Sequence, residues 1–190
     1  MPHQIGHKNW FDNNKSISVK SEDTDSFIKK QNEIGVSGGI DSAVSSILCA
    51  ETNKKVVLLN MPIRQSANEF ARAERHIEDL KNRYSNVSSH ELNLSPVFES
   101  FEKVMPFDIE SNGLSLANSR ARLRMMTLYA VGQANNLLVA GTGNKVEDFG
   151  IGFYTKYGDG GVDLSPIADL NKTEVFALAK TLNVIQGIQN

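Results

Sequence analysis

The chain has 190 residues, 40% of them hydrophobic, and a formal net charge of -2. That balance suits one α/β domain with its own core and argues against a broad nucleic-acid footprint. No apolar run reaches membrane-span length, the amino-terminal stretch lacks a secretion signal, and the single cysteine, Cys49, permits no internal disulfide, so a cytoplasmic protein is expected.

Residues 1–22 read as a polar arm and residues 24–31 as a short helix around Phe27 and Ile28. A single domain is expected from residue 23 to residue 190. Only Ile34 and Val36 are apolar before Ser37, which predicts a shortened or damaged first strand. A helix follows over 42–51, with Cys49 packed in its apolar run. Val56-Val57-Leu58-Leu59 is a clear second strand ending at Asn60. Phe70, Ala73, Ile77, Leu80 and Tyr84 then recur at helical spacing and predict a buried stripe, with His76, between Arg75 and Glu78, on the surface. A weak strand is read over 88–94. Pro96 begins a short helix with Val97, Phe98, Phe101 and Val104 inward, and 105–113 is a loop.

A long helix is predicted over 116–134, carrying Arg120, Arg122 and Arg124, followed by the buried strand Leu137-Leu138-Val139-Ala140. The strand runs into Gly141-Thr142-Gly143-Asn144. Residues 150–170 are rich in Gly and Asp and read as a site loop. Asn171, with Glu174 three positions on, predicts a capping box for a last helix that turns Val175, Leu178, Ala179 and Leu182 inward. Strands alternating with helices imply a doubly wound parallel sheet with helices on both faces and ligands at the strands' carboxyl ends. Both glycine-rich turns fall at such ends.

The chemistry concentrates in Ser37-Gly38-Gly39-Ile40-Asp41-Ser42, led in by Gly35 and Val36. A glycine turn opening a helix gathers unpaired backbone N–H groups at its positive end and suits a phosphate. Gly38 and Gly39 allow positive φ and close approach to an anion, and the hydroxyls of Ser37 and Ser42 add donors. No Gly-Lys-Ser/Thr follows, so this is not a Walker A loop, and the G-x-G-x-x-G dinucleotide pattern is absent. Asp41 would repel a phosphate unless a cation lay between them, so the loop implies Mg²⁺.

Ser-Gly-Gly-x-Asp-Ser resembles the pyrophosphate loop of the ATP pyrophosphatases, which cleave ATP between its α- and β-phosphates. Ser119-Arg120-Ala121-Arg122-Leu123-Arg124-Met125, Gly141-Thr142-Gly143-Asn144-Lys145-Val146-Glu147-Asp148, Phe153-Tyr154-Thr155-Lys156-Tyr157-Gly158-Asp159-Gly160-Gly161-Val162-Asp163 and Pro166-Ile167-x-x-Leu170-x-Lys172-Thr173 further resemble the ammonia-dependent NAD synthetase family. The resemblance implies the adenine nucleotide alpha hydrolase-like fold and an enzyme that makes NAD from deamido-NAD, ATP and ammonia through an acyl-adenylate. It implies ATP contacts from Gly35, Val36, Ser37, Gly38, Gly39, Ile40, Asp41, Ser42, Thr142 and Lys172. Magnesium ligation would fall to Asp41 and Glu147, deamido-NAD contacts to Arg122, Lys156 and Asp163, and the ammonium-handling carboxylate to Asp159. A homodimer without nucleic-acid or membrane partners is implied as well. Family members continue past the last helix, with a further ATP-contacting Thr and a His-Lys pair that nothing here matches, so the domain is expected to be carboxyl-terminally incomplete. Two readings compete: another adenylating pyrophosphatase with a different acceptor, and a truncated homologue that binds nucleotide or dimerises without full activity.

Overall fold

The computed structural model describes residues 31–189, so the polar arm and all but the last residue of the helix expected over 24–31 lie outside the described residues. Strands β1 (Gln31–Gly35), β2 (Val56–Asn60), β3 (Val87–Glu91) and β4 (Leu137–Ala140) form one parallel sheet in the order β3-β2-β1-β4. Between and after them come α1 (Ile40–Glu51), α2 (Ala67–Arg83), α3 (Ser95–Lys103), a 3₁₀ turn (Glu110–Asn112), α4 (Gly113–Asn135), a π-helical turn (Val146–Gly150), α5 (Lys172–Thr181) and α6 (Gln186–Gln189). A parallel bridge between Ala140 and Leu164 extends the sheet past β4. Among the described residues, no helix is long and apolar enough to cross a membrane.

Local chemistry explains the element boundaries. Ser66 with Glu69, and Asn171 with Glu174, form reciprocal capping boxes that start α2 and α5. Asn136 ends α4 in the left-handed region at φ 56°. Alternate residues of β2 then divide the interior. Val56 and Leu58 join Ile34, Ala43, Val44, Ile47, Ala73, Leu80, Val175 and Ala179 beneath α1, α2, α5 and α6. Val57 and Leu59 join Phe98, Leu116, Met125, Leu128 and Val139 beneath α3 and α4. Helices therefore cover both faces, as expected. The chain winds outward from β1 through β2 to β3, then returns to place β4 on the other side of β1. Where that direction reverses, the carboxyl ends of β1 and β4 open a crevice.

Three expectations need correction. The first strand is neither shortened nor damaged: β1 is five residues long and paired on both sides, with polar Asn32 and Glu33 buried in it. Glu33 packs under Gly132 of α4, neither carboxyl oxygen has a hydrogen-bond partner among the described residues, and burial pushes its pKa up to about 7. His76 is buried, not superficial, with Nε2 at 2.9 Å from Ser46 Oγ. Burial lowers its pKa to about 4, with Arg83 adding to the fall and Asp79 and the Ala43 carbonyl opposing it. Position 76 lies between Ala73 and Leu80 on a buried arc wider than the apolar residues alone mark. In α3 only Phe98 is buried, while Val97, Phe101 and Val104 face solvent.

Candidate active site

The Ser37–Ser42 turn lies at the carboxyl end of β1, where the sheet reverses. Gly39 is the N-cap of α1 and no side chain caps that helix, leaving its first-turn amides to an incoming anion. Only Gly38 of the glycine pair has positive φ, at +80°; Gly39 is extended at −94°. A Cβ on Gly38 would come within 2.6 Å of the Glu69 carbonyl and 3.1 Å of the Ala73 amide, so the turn lies directly on α2. Arg72 Nε donates to the Gly38 carbonyl at 3.3 Å and Gln65 Nε2 to the Ser37 carbonyl at 3.3 Å. The two hydroxyls are 3.1 Å apart, and Ser42 Oγ donates to the Gly39 carbonyl at 2.9 Å. The turn's carbonyls are thereby engaged from behind.

The 141–144 turn faces it from β4, with Thr142 half-buried within it and Asn144 wholly buried. Asn144 Nδ2 donates to Asp41 Oδ1 at 3.1 Å, while Asn144 Oδ1 accepts from the Val146 and Glu147 amides at 3.1 Å each. From α5, Lys172 Nζ lies 2.5 Å from Asp41 Oδ2 and 3.3 Å from Glu147 Oε1. Elements far apart in sequence thus bring Asp41, Glu147 and Lys172 to one point, and Thr142 lies in the turn that carries Asn144.

The donor set fits a hard cation. Two carboxylate oxygens already converge on one positive charge, the Lys172 ammonium. Mg²⁺ is commonly held by one or two carboxylates with substrate phosphates and water. Among the described residues no three acidic, His or Cys side chains form a ready-made metal cage.

Asp148 joins this acidic group and was missed beside Glu147 in the sequence. Its pKa is raised to about 6 by burial first, then by the charges of Asp159, Glu147 and Asp41. Gly143 leaves it room: a Cβ there would fall 2.1 Å from Asp148 Oδ2, so a larger residue would require that carboxylate to turn aside. Asp159 is exposed and accepts the Thr155 amide at 2.9 Å.

The remaining expected residues sit beside α4. Arg122 Nε donates to the Lys156 carbonyl at 3.1 Å, and Lys156 Nζ lies 5.0 Å from the centre of the Tyr157 ring. Asp163 is tied to the fold: Oδ2 accepts the Val139 amide at 2.9 Å and Oδ1 the Tyr129 hydroxyl at 3.2 Å. Arg122, Met125, Met126, Tyr129, Tyr157 and Gly161 line an open hollow of about 420 Å³. The other arginines of α4 differ: Arg124 Nε donates to the Met61 carbonyl at 3.0 Å, and Arg120 lies 5.6 Å from the centre of the Phe98 ring.

A parallel sheet that reverses at a Ser-Gly-Gly turn, with an uncapped helix behind it, defines a domain of the adenine nucleotide alpha hydrolase-like class. Structures similar to it include an NMN synthetase from Francisella tularensis (TM-score 0.78, 34% identity, 88% of this chain and 68% of that one). An NH3-dependent NAD synthetase from Campylobacter jejuni is also similar (TM-score 0.75, 34% identity, 88% and 74%). The family model described as NAD synthase matches residues 18–190. An NH(3)-dependent NAD(+) synthetase from Mesoplasma florum is 37% identical over 169 residues, covering 86% of this chain and 67% of the relative. One from Wolinella succinogenes is 41% identical over 152 residues, covering 80% and 56%. The chain belongs to the NAD synthase family. It spans from 53% of the Sulfurisphaera tokodaii relative to 75% of that from Alkaliphilus metalliredigens.

Proposed function

We propose that the chain is an ammonia-dependent NAD synthetase, converting deamido-NAD, ATP and ammonia to NAD, AMP and pyrophosphate. The observation that carries this reading is the convergence of Asp41, Glu147 and Lys172 in front of the uncapped amino end of α1. The triphosphate is bound by the 35–42 segment, Thr142 and Lys172. Asp41 and Glu147 hold Mg²⁺, which supplies charge neutralisation at the phosphates. Arg122, Lys156 and Asp163 bind deamido-NAD, with the hollow beside Arg122 as its seat and Asp163 acting from its fixed place against β4. A nicotinate carboxylate oxygen attacks the α-phosphorus, the α–β bridge breaks and pyrophosphate leaves. Ammonia then attacks the acyl carbon, AMP departs, and Asp159 accepts the proton that nitrogen must lose.

The protein acts in the cytoplasm as a homodimer. Leu114, 77% exposed in the first turn of α4, supplies apolar surface for the second copy. Light scattering should give twice the chain mass; a monomer at tens of micromolar, the order expected for weak association, would remove the dimer.

The similarity to an NMN synthetase gives a second reading, a shorter acceptor with the same chemistry. Product analysis with ATP, Mg²⁺ and ammonium, offering deamido-NAD and nicotinate mononucleotide in turn, separates the two. NAD together with pyrophosphate is expected, and Asp41→Asn should abolish both while leaving the far-ultraviolet dichroism unchanged. Pyrophosphate release unaffected in that variant would refute the metal role.

A further inference from the structure

We infer that Asn144 is a positioning residue that fixes the two cation-binding carboxylates relative to each other. The inference rests on the reading above, in which Asp41 and Glu147 hold the cation. Asn144 is 0% exposed, so its amide must find partners inside the protein. Its orientation is dictated. Two backbone N–H groups, of Val146 and Glu147, point at one end, so that end is the oxygen, and the NH₂ end donates to Asp41 Oδ1. A reversed amide would face donors with donors and leave Asp41 without its hydrogen.

One side chain therefore grips both ligands. It holds the head of Asp41, at the start of α1 and 103 residues away along the chain, and the backbone root of Glu147. Because Oδ1 of Asp41 is occupied by a neutral donor, Oδ2 is the oxygen turned to Lys172, the point where Glu147 Oε1 also arrives. Partners behind a ligand commonly set its aim, and losing one typically costs about 10–100-fold in metal affinity.

The test must separate gripping Asp41 from capping the 146–150 turn. Asn144→Ser keeps an oxygen for the turn amides but is too short to reach Asp41; Asn144→Thr does the same with more volume retained. Mn²⁺ binding to the full chain is measured by electron paramagnetic resonance with a non-hydrolysable ATP analogue present, alongside thermal unfolding. Both variants should melt close to the wild-type temperature, bind Mn²⁺ about tenfold or more weakly, and recover most pyrophosphate release at saturating Mn²⁺. Wild-type affinity in the variants, with Asp41→Ala losing the metal, would overturn the role of Asn144 and leave the site reading intact. Failure of both variants to fold would make Asn144 structural and overturn it too. If the wild-type chain bound no Mn²⁺ beside the analogue, the site reading and this inference would fall together.

Discussion

Gly38 is the residue with least freedom to change. Its φ of +80° disfavours any L side chain, and an added Cβ would press on backbone atoms of α2, which cannot swing away. Gly38→Ala should therefore lower the melting temperature and weaken ATP binding together, because the same displacement moves the turn and α2. Gly39→Ala meets only the Ser37 hydroxyl at 3.4 Å and should keep the wild-type melting temperature. Equal melting temperatures for the two variants would contradict this. Sequence alone treated the two glycines alike, since the need for positive φ depends on how closely α2 approaches, and no local pattern encodes that.

At the scale of elements, the buried polar groups of β1 and α2 make opposite demands on pH. Glu33 on β1 is raised from 4.5 to about 7, so its favourable contribution is whole below pH 4.5 and is lost as pH rises through 7. His76 on α2 is lowered from 6.5 to about 4, so stability present above pH 6.5 is lost as pH falls toward 4. Between pH 4.5 and 6.5 the two slopes, each up to about 1.4 kcal/mol per pH unit, oppose and nearly cancel. Urea unfolding of Glu33→Gln should therefore show stability rising with pH relative to wild type across that window, and His76→Leu should show it falling. Slopes that match wild type in both variants would remove the pair from the balance. Neither residue was legible in advance. A glutamate in a thin apolar run suggests a weak strand, and a histidine between Arg75 and Glu78 looks solvated; burial of both follows from helices closing over them.

Across the whole molecule, the parallel winding, the Asn171–Glu174 capping box and both site turns were legible because they rest on local spacing and turn chemistry. The partnership of Asn144 and the crowding of Asp148 were not, because they exist only once β1, β4 and α5 meet. Lys172 is where that meeting has its largest effect. Its ammonium occupies the point on which Asp41 and Glu147 converge, one positive charge set against two carboxylates. On the proposed reading, a divalent ion entering there would compete with that ammonium, and bound phosphates would give the ammonium another partner. Metal and nucleotide should accordingly help each other in. Lys172→Met, which has no charge to evict, should bind Mn²⁺ without nucleotide up to about tenfold more tightly than wild type. It should also lose most of the gain in Mn²⁺ affinity that nucleotide brings. Weaker or unchanged nucleotide-free binding would show that Lys172 helps to assemble the empty site and does not compete for it.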